Sequence, residues 1–299
     1  MKKIFFFSIF VFFLVILLLK SESSKAADYA DCSPNYVNAS GEINLGGVPA
    51  PSAGVCMTEA TSYQIKIYKV YLCTSAPTVP TVASPINISS CSVIFENSSG
   101  STITVSTNGS TSLSGSITKP PAGNYTHAYV NLDNVLGITG KVSFSDQQYD
   151  GQGSQGSGFT CVTRSTSKEN LTGTTFPQTT SECGDSSLSA SNKLIEFQSL
   201  DCCTGLLATD STTDIDINGS GQDGIPSIVD TNGLLITSEE NADKIDYIVD
   251  FNSTLSISEN ITNFNLRFNV SSSLEVNNYA NNFILFMPGA PQIIIETTN

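Results

Sequence analysis

The dominant pattern along the chain is a two-residue alternation of apolar and polar positions, which is typical of β-strands with one buried face. The clearest example is the run 62–73, "SYQIKIYKVYLC", where Tyr63, Ile65 and Ile67 alternate with polar residues. Turn-forming sequences such as "TNGS" and "MPGAP" separate runs of this kind. The same pattern predicts further strands at 92–96, 102–107, 111–118, 125–132, 135–145, 159–164, 193–198, 226–237, 245–257, 262–275 and 282–297.

Helical periodicity is absent after the N-terminal segment, and only residues 238–245 favour one or two helical turns. Charged residues make up 13% of the chain, whereas Ser, Thr and Asn are abundant. This composition is expected of exported sandwiches that bury one face of each sheet. We therefore predict an all-β protein, an antiparallel β-sandwich stapled by disulfides.

A low-complexity stretch near the middle, "DGQGSQGSG", has the composition of a flexible linker. It predicts an N-terminal β-sandwich subdomain at residues 27–150 and a C-terminal β-rich subdomain at residues 159–299. Residues 151–158 are then the linker between them. The alternative is that this segment is a long hairpin loop within one domain.

Residues 1–26 have the pattern of a secretory signal peptide, with a basic start, an apolar run and small residues at Ser24 and Ala26. The apolar run is shorter than the ~20 residues of a spanning helix, and the alternative is a retained anchor. We therefore expect an exported protein, located in the periplasm, at the cell surface or outside the cell. We expect no membrane association apart from this segment.

All eight cysteines follow the predicted signal peptide, and an even number of cysteines in an exported chain indicates disulfides. We expect the pairs Cys32–Cys56 and Cys73–Cys91 in the first half. The other four are expected to bond within the second half, where the adjacent Cys202 and Cys203 would reach two different partners. The cysteines are Cys32, Cys56, Cys73, Cys91, Cys161, Cys183, Cys202 and Cys203.

The chain is strongly acidic, with a formal net charge of -14. Removing residues 1–26, which carry four Lys and one Glu, makes it about -17. Such a surface repels nucleic acids and anionic lipids, so neither is expected as a partner. Partners that fit an exported protein are a surface protein, a glycan or a second copy that associates by strand addition.

His127 is the only histidine, so any Ser-His-Asp triad would have to use it. A Cys/His zinc finger cannot be assembled with a single histidine. We predict no catalytic residue and no enzyme. A hydrolase that uses only carboxylates stays an alternative and requires two carboxylates across a cleft. Alternation also places Tyr125, His127 and Tyr129 on one strand face. They predict either an aromatic platform for a sugar or partner, or a cross-strand aromatic ladder.

The segment 213–226, "TDIDINGSGQDGIP", has oxygen ligands at a spacing that suits calcium. Asp214, Asp216 and Asn218 alternate, Gly219 follows at a turn position, and Asp223 could complete a site. An EF-hand is excluded, because Ile225 stands where the closing Glu is required. Between positions 201 and 250 there are eleven acidic residues and one basic residue. The alternatives are a calcium loop on a β-scaffold, with no other cofactor expected, and a plain acidic turn.

The segment 120–134, "PPAGNYTHAYVNLDN", contains a Pro-Ala-Gly-x-Tyr turn that enters a strand. This element resembles one in bacterial surface β-sandwiches, including transthyretin-like and collagen-adhesin B-type modules. The resemblance covers about residues 62–140 and carries over no catalytic or binding residue. It implies a β-sandwich of the bacterial envelope or cell surface, with a structural or adhesive role. A calcium-dependent extracellular binding module is the first alternative, and the carboxylate-based hydrolase is the second.

The C-terminal residues 281–299, "NNFILFMPGAPQIIIETTN", contain two apolar runs on either side of a Pro-Gly-Ala-Pro turn. They predict a hairpin packed in the core. The alternative is that one of the two strands completes the sheet of a neighbouring subunit.

Overall fold

The structure is a computed structural model, and nearly all of its regular structure is β-strand. A 3-10 turn at Glu239–Asn241 lies where the sequence favours a helical turn. The residues that the structure describes are 31–32, 36–45, 55–107, 113, 117–151, 156–165, 168–171, 179–198, 215–216, 223–261, 263–280, 283–289 and 291–298.

The strands are numbered along the chain. They are β1 (Val55–Thr58), β2 (Ser62–Cys73), β3 (Cys91–Ser106), β4 (Gly123–Asp133), β5 (Val135–Thr139), β6 (Lys141–Asp150), β7 (Ser157–Thr163), β8 (Glu169–Leu171), β9 (Ser181–Gly184), β10 (Lys193–Phe197), β11 (Ile215–Asp216), β12 (Asp223–Val229), β13 (Lys244–Ile257), β14 (Asn263–Asn269), β15 (Leu274–Ala280), β16 (Phe283–Pro288) and β17 (Gln292–Thr298).

Two large sheets contain most of these strands. The six-stranded sheet has the order β1-β15-β16-β6-β7-β9, and the nine-stranded sheet has the order β11-β12-β13-β4-β2-β5-β10-β8 with β3 also paired to β2. Strands β14 and β17 form a separate pair. Pairing is mostly antiparallel, and β8 with β10 and β6 with β16 are parallel pairs.

Side chains from both large sheets pack in one hydrophobic cluster. Phe144 and Phe286 enter it from the six-stranded sheet, and Tyr63, Ile65 and Val130 enter it from the nine-stranded sheet. All five are almost fully buried. The all-β prediction is therefore confirmed, with two sheets that share a core.

The predicted division of the chain does not separate these sheets. Both sheets contain strands from residues 27–150 and from residues 159–299, because β13 pairs with β4 and β15 pairs with β1. Residues 157–158 of the predicted linker belong to β7, which pairs antiparallel with the preceding strand β6 in one sheet. Residues 152–155 lie outside the described part of the chain.

Three disulfides lie within the described residues. Cys32–Cys56 and Cys73–Cys91 are the pairs that the sequence predicts. Cys161 bonds Cys183 across the neighbouring strands β7 and β9. The expectation that Cys202 and Cys203 reach two different partners in the second half is wrong, because this bond uses both of the other cysteines there. Cys202 and Cys203 lie outside the described residues.

The predicted C-terminal hairpin is also wrong. Strand β16 pairs with β15 and β6, whereas β17 pairs with β14. Each apolar strand thus finds a different partner, and the turn between them changes sheets. Ile293 of β17 is buried in the core cluster. Strand addition to a second copy stays a prediction.

Candidate functional site

The outer face of the nine-stranded sheet carries a row of polar residues, one on each of five neighbouring strands. The row faces away from the core, because the residues next to its members along the strands, such as Ile245 and Val130, enter the core cluster. Its members are Ser227 of β12, Asp246 of β13, Asn131 of β4, Lys69 of β2 and Glu96 of β3.

A second row on the same face is aromatic and aliphatic. Tyr71 and Tyr129 lie opposite each other in register, with ring centroids 5.8 Å apart. Ile248 and Val93 continue this row on the strands to either side. The polar row therefore borders an apolar surface, which is the usual composition of a small-molecule site.

A cavity of about 460 Å³ lies over the polar row except Ser227, and we call it the Asp246 pocket. The sheet forms its floor, the β2–β3 connection forms one wall, and the turn after β12 forms another. Its lining residues are Tyr68, Lys69, Pro85, Ile86, Ile88, Glu96, Asn97, Ser98, Tyr129, Asn131, Val229, Asp230, Thr231, Asn232, Gly233, Lys244 and Asp246.

The two walls are held in place by local bonds. The backbone N–H of Leu235 donates to the carbonyl of Thr81 at 3.0 Å, which joins one wall to the other. Asp230 Oδ1 accepts the backbone N–H groups of Asn232 at 2.8 Å and Leu234 at 3.0 Å. The bond from Leu234 is the main reason that the pKa of Asp230 is below its usual value. The turn is thus preformed, as Asp-capped turns are.

The β2–β3 wall is also covalently closed. Cys73 and Cys91 face each other in register at the ends of these strands, and their disulfide joins the two ends of the connection. The chain between them carries Pro85, Ile86 and Ile88 into the pocket. A covalent link at its base limits how far this wall can move away from the floor.

Asp246 is the buried carboxylate in the pocket floor, with 2% of the residue exposed. Its Oδ1 accepts hydrogen bonds from the Tyr129 hydroxyl at 2.7 Å and from Asn131 Nδ2 at 2.7 Å. Burial raises the pKa of Asp246, and these two hydrogen bonds partly oppose the effect. Burial, followed by the Asp246 charge, also raises the pKa of Tyr129. Tyr129 therefore stays a protonated donor.

Two polar groups of the pocket have unused hydrogen-bonding capacity within the described part of the chain. Asp246 Oδ2 accepts no hydrogen bond there, because both of its donors go to Oδ1. Lys69 is exposed, and its ammonium has no hydrogen bond or ion pair with any described residue. By contrast, Lys244 bonds the Asp243 carboxylate and lies 5.1 Å from the centroid of the Tyr68 ring.

The predicted aromatic platform does not form as a set of three. Tyr125 packs in the core cluster, and its hydroxyl donates to the carbonyl of Pro121 at 2.8 Å. His127 Nε2 lies 3.7 Å from Asp250 Oδ1, while Tyr129 lines the pocket. Alternation wrongly places Tyr125 on the same face as His127 and Tyr129. Two residues, rather than one, separate Tyr125 from the next core residue, Ala128, so Tyr125 itself faces the core.

The predicted calcium ligands are only partly described. Asp214 and Asn218 lie outside the described residues, and the backbone of Asp216 lies opposite that of Asp223 in the β11–β12 pair. Residues 217–222 therefore connect two paired strands. Across the ranges that the structure describes, no group of three or more His, Cys, Asp or Glu residues is placed to hold a metal. The calcium site stays a prediction.

Apart from Tyr129, sequence reasoning missed the residues of the Asp246 pocket. The available signal was a charged or amide residue between apolar neighbours, as in Asp246 of "KIDYIV" and Asn131 of "YVNLD". On an ordinary sandwich such positions face solvent. Their burial comes from the β2–β3 connection, which no local pattern places there.

Comparison of the chain with protein-family models, with curated proteins and with solved structures found no match. The resemblance of residues 62–140 to envelope domains therefore stays a prediction. Within the described part of the chain, no helix has the length and apolarity needed to cross a membrane. The three disulfides indicate an oxidising, exported environment.

Proposed function

We propose that this chain is an exported, non-enzymatic β-sandwich protein of the bacterial envelope or cell surface, with a structural or adhesive role. The observation that carries the proposal is the Asp246 pocket, a preformed polar cavity on a rigid sheet with walls fixed by a disulfide and by backbone hydrogen bonds. A site of this kind suits binding, because little of it has to be ordered when a ligand enters.

The spacing of the two carboxylates in the polar row, Glu96 and Asp246, does not suit hydrolysis. Glu96 and Asp246 share the polar row, but they are three strands apart. At about 4.8 Å between strands, this is about 14 Å along the sheet. Glycosidases place their two carboxyl groups about 5–9.5 Å apart. Glu96 also accepts a hydrogen bond from the Tyr71 hydroxyl, which holds it in its own part of the sheet.

Export can be tested directly by expressing the full chain in a bacterium. We expect the mature protein outside the cytoplasm, with Cys32, Cys56, Cys73 and Cys91 protected from alkylation until a reductant is added. A matched chain without residues 2–26 should stay in the cytosol. Full-length protein that remains in the cytosol with free thiols contradicts the proposal.

A calcium-dependent binding module is the second candidate function. The observation that favours it is the placement of Asp216 opposite Asp223 within the most acidic part of the chain. Acidic residues at opposite positions of two paired strands are unfavourable on their own, and a bound cation would offset their negative charge.

A further inference from the structure

We propose that the Asp246 pocket binds a neutral hexose unit, either as a free sugar or at the end of a glycan. This inference rests on the proposed adhesive function and names the ligand class of the same pocket. It follows from the hydrogen-bonding groups, the charges and the apolar walls of the cavity.

The hydrogen-bonding groups of the pocket suit two adjacent hydroxyls of a sugar ring. Asp246 offers Oδ2 as an acceptor, held in one orientation by the two hydrogen bonds to its Oδ1. Lys69 follows Asn131 in the same row and offers a donor that is not engaged with any described residue. A sugar hydroxyl both donates and accepts. Neighbouring hydroxyls can therefore satisfy the carboxylate and the ammonium together.

The charges of the lining favour a neutral ligand. Glu96, Asp230 and Asp246 oppose an anion, while Lys69 and Lys244 oppose a metal cation. Burial raises the pKa of Asp246, while the positive charges of Lys69 and Lys244 act in the opposite direction. A charged ligand would bury at least one group of like charge beside it, which is costly. A polyhydroxyl ligand avoids this cost.

The walls supply the apolar contact that a pyranose ring uses. Pro85, Ile86 and Ile88 line one side, and Tyr68 and Tyr129 contribute aromatic surface near the floor. The cavity of about 460 Å³ lies within the range of small-molecule sites. Apolar walls around a few fixed polar groups orient a ligand that has both polar edges and apolar faces.

The test measures sugar binding by the purified, oxidised protein. Saturation-transfer difference NMR is recorded with glucose, galactose, mannose and N-acetylglucosamine, and affinity is then measured by calorimetry. The variants are Lys69→Ala, which removes an ammonium that has no hydrogen bond or ion pair with a described residue, and Asp246→Asn, which keeps the shape of the carboxylate. Asp250→Asn is the matched control, since Asp250 lies on the same strand and does not line the pocket.

We expect at least one of the four sugars to bind the unmodified protein and the Asp250→Asn control equally. Lys69→Ala should weaken that binding at least tenfold, and Asp246→Asn should do the same wherever it folds. An array of oligosaccharides ending in the same sugars distinguishes a glycan end from a free sugar. The inference is overturned if none of the sugars or oligosaccharides binds, or if Lys69→Ala binds as well as the unmodified protein. Either result leaves the export experiment unaffected, so the two proposals fail separately.

Discussion

The hydroxyl of Tyr129 donates a 2.7 Å hydrogen bond to the buried carboxylate of Asp246 on the neighbouring strand. Both residues are almost completely buried, with 3% and 2% of their surfaces exposed. Hydrogen bonds of this kind, between a neutral donor and a carboxylate, are among the stronger ones in proteins. The pair fixes one oxygen of the carboxylate and leaves the other for a ligand.

Tyr129→Phe should lower the free energy of unfolding by about 2 kcal/mol, because a buried carboxylate loses one of two donors. Urea denaturation measures the change. Tyr149→Phe is the matched control, since Tyr149 is 38% exposed and its hydroxyl bonds no described residue. It should change stability by less than about 0.5 kcal/mol. Equal effects of the two substitutions would contradict this account of the hydrogen bond.

The contribution of Asp246 to stability should fall as pH rises. Burial raises the pKa of Asp246 above its usual value of 3.8, so the folded state holds the proton more tightly than the unfolded state. The contribution is full below pH 3.8 and is lost as pH rises through the folded pKa. Comparing unfolding of the unmodified protein with that of Asp246→Asn across this range isolates the effect, because Glu275, whose pKa is also raised by burial, is common to both. If the difference in the free energy of unfolding between the two proteins did not change with pH, this expectation would be contradicted.

The disulfide Cys73–Cys91 should act both on stability and on one pocket wall. Replacing both cysteines by Ala should cost about 3 kcal/mol, since the bond closes a short loop. Cys161→Ala/Cys183→Ala is the matched control, because its cysteines are 22 residues apart compared with 18. We expect a similar loss of stability in both proteins. Amide hydrogen exchange in residues 74–90 should become faster only in the variant that lacks Cys73–Cys91. Equal exchange in the two variants would contradict the view that this disulfide holds the pocket wall.

Gly158→Ala should destabilise the six-stranded sheet by about 3 kcal/mol. A Cβ at position 158 would lie 1.9 Å from the carbonyl oxygen of Gly184, so the backbones of β7 and β9 would have to separate. The control is Gly123→Ala, whose Cβ would meet no atom closer than 3.9 Å. Thermal denaturation should show a large decrease in Tm for the first variant and almost none for the second. The reverse order would contradict this packing.

The calcium alternative predicts that replacing a chelator by calcium raises Tm, because an ion that binds only the folded state stabilises it. Asp216→Asn combined with Asp223→Asn should abolish the increase. Magnesium serves as the control for general screening of an acidic surface. Equal Tm values in calcium and in chelator would eliminate the calcium-dependent module.

Long alternating runs were predicted best, as the agreement of β2 with residues 62–73 shows. Strand β3 was predicted as two strands, but it continues through its turn-like centre because Gly100 adopts a φ of 73° while both sides stay paired with β2. Strands β1 and β9 were missed, because four residues are too few to show a period. Each of these two strands contains a cysteine of a disulfide, which holds the strand in its sheet although its own sequence has little strand pattern.

The site was harder to predict than the strands. Asp246 occupies a position that alternation assigns to the solvent face, and residues more than 150 positions earlier in the chain cover it. The disulfide pairs Cys32–Cys56 and Cys73–Cys91 could be predicted because each joins cysteines that follow one another in the sequence. Cys161–Cys183 follows the same rule, but the adjacent Cys202 and Cys203 pointed to other partners. Pairing of strands from distant parts of the chain has no comparable local signature.

The pairing of β1 with β15 places Val55 opposite Asn277, and β13 fills the position beside β4 in the other sheet. A chain is synthesised from its N-terminus, so the early strands exist for some time without these neighbours. Neither large sheet can be completed until nearly all of the chain is available, and non-local pairing of this kind slows folding. During that interval, the unpaired edges of β4 and β1 are open to incorrect partners. Early closure of Cys73–Cys91 would fix the β2–β3 hairpin while the later strands are still missing.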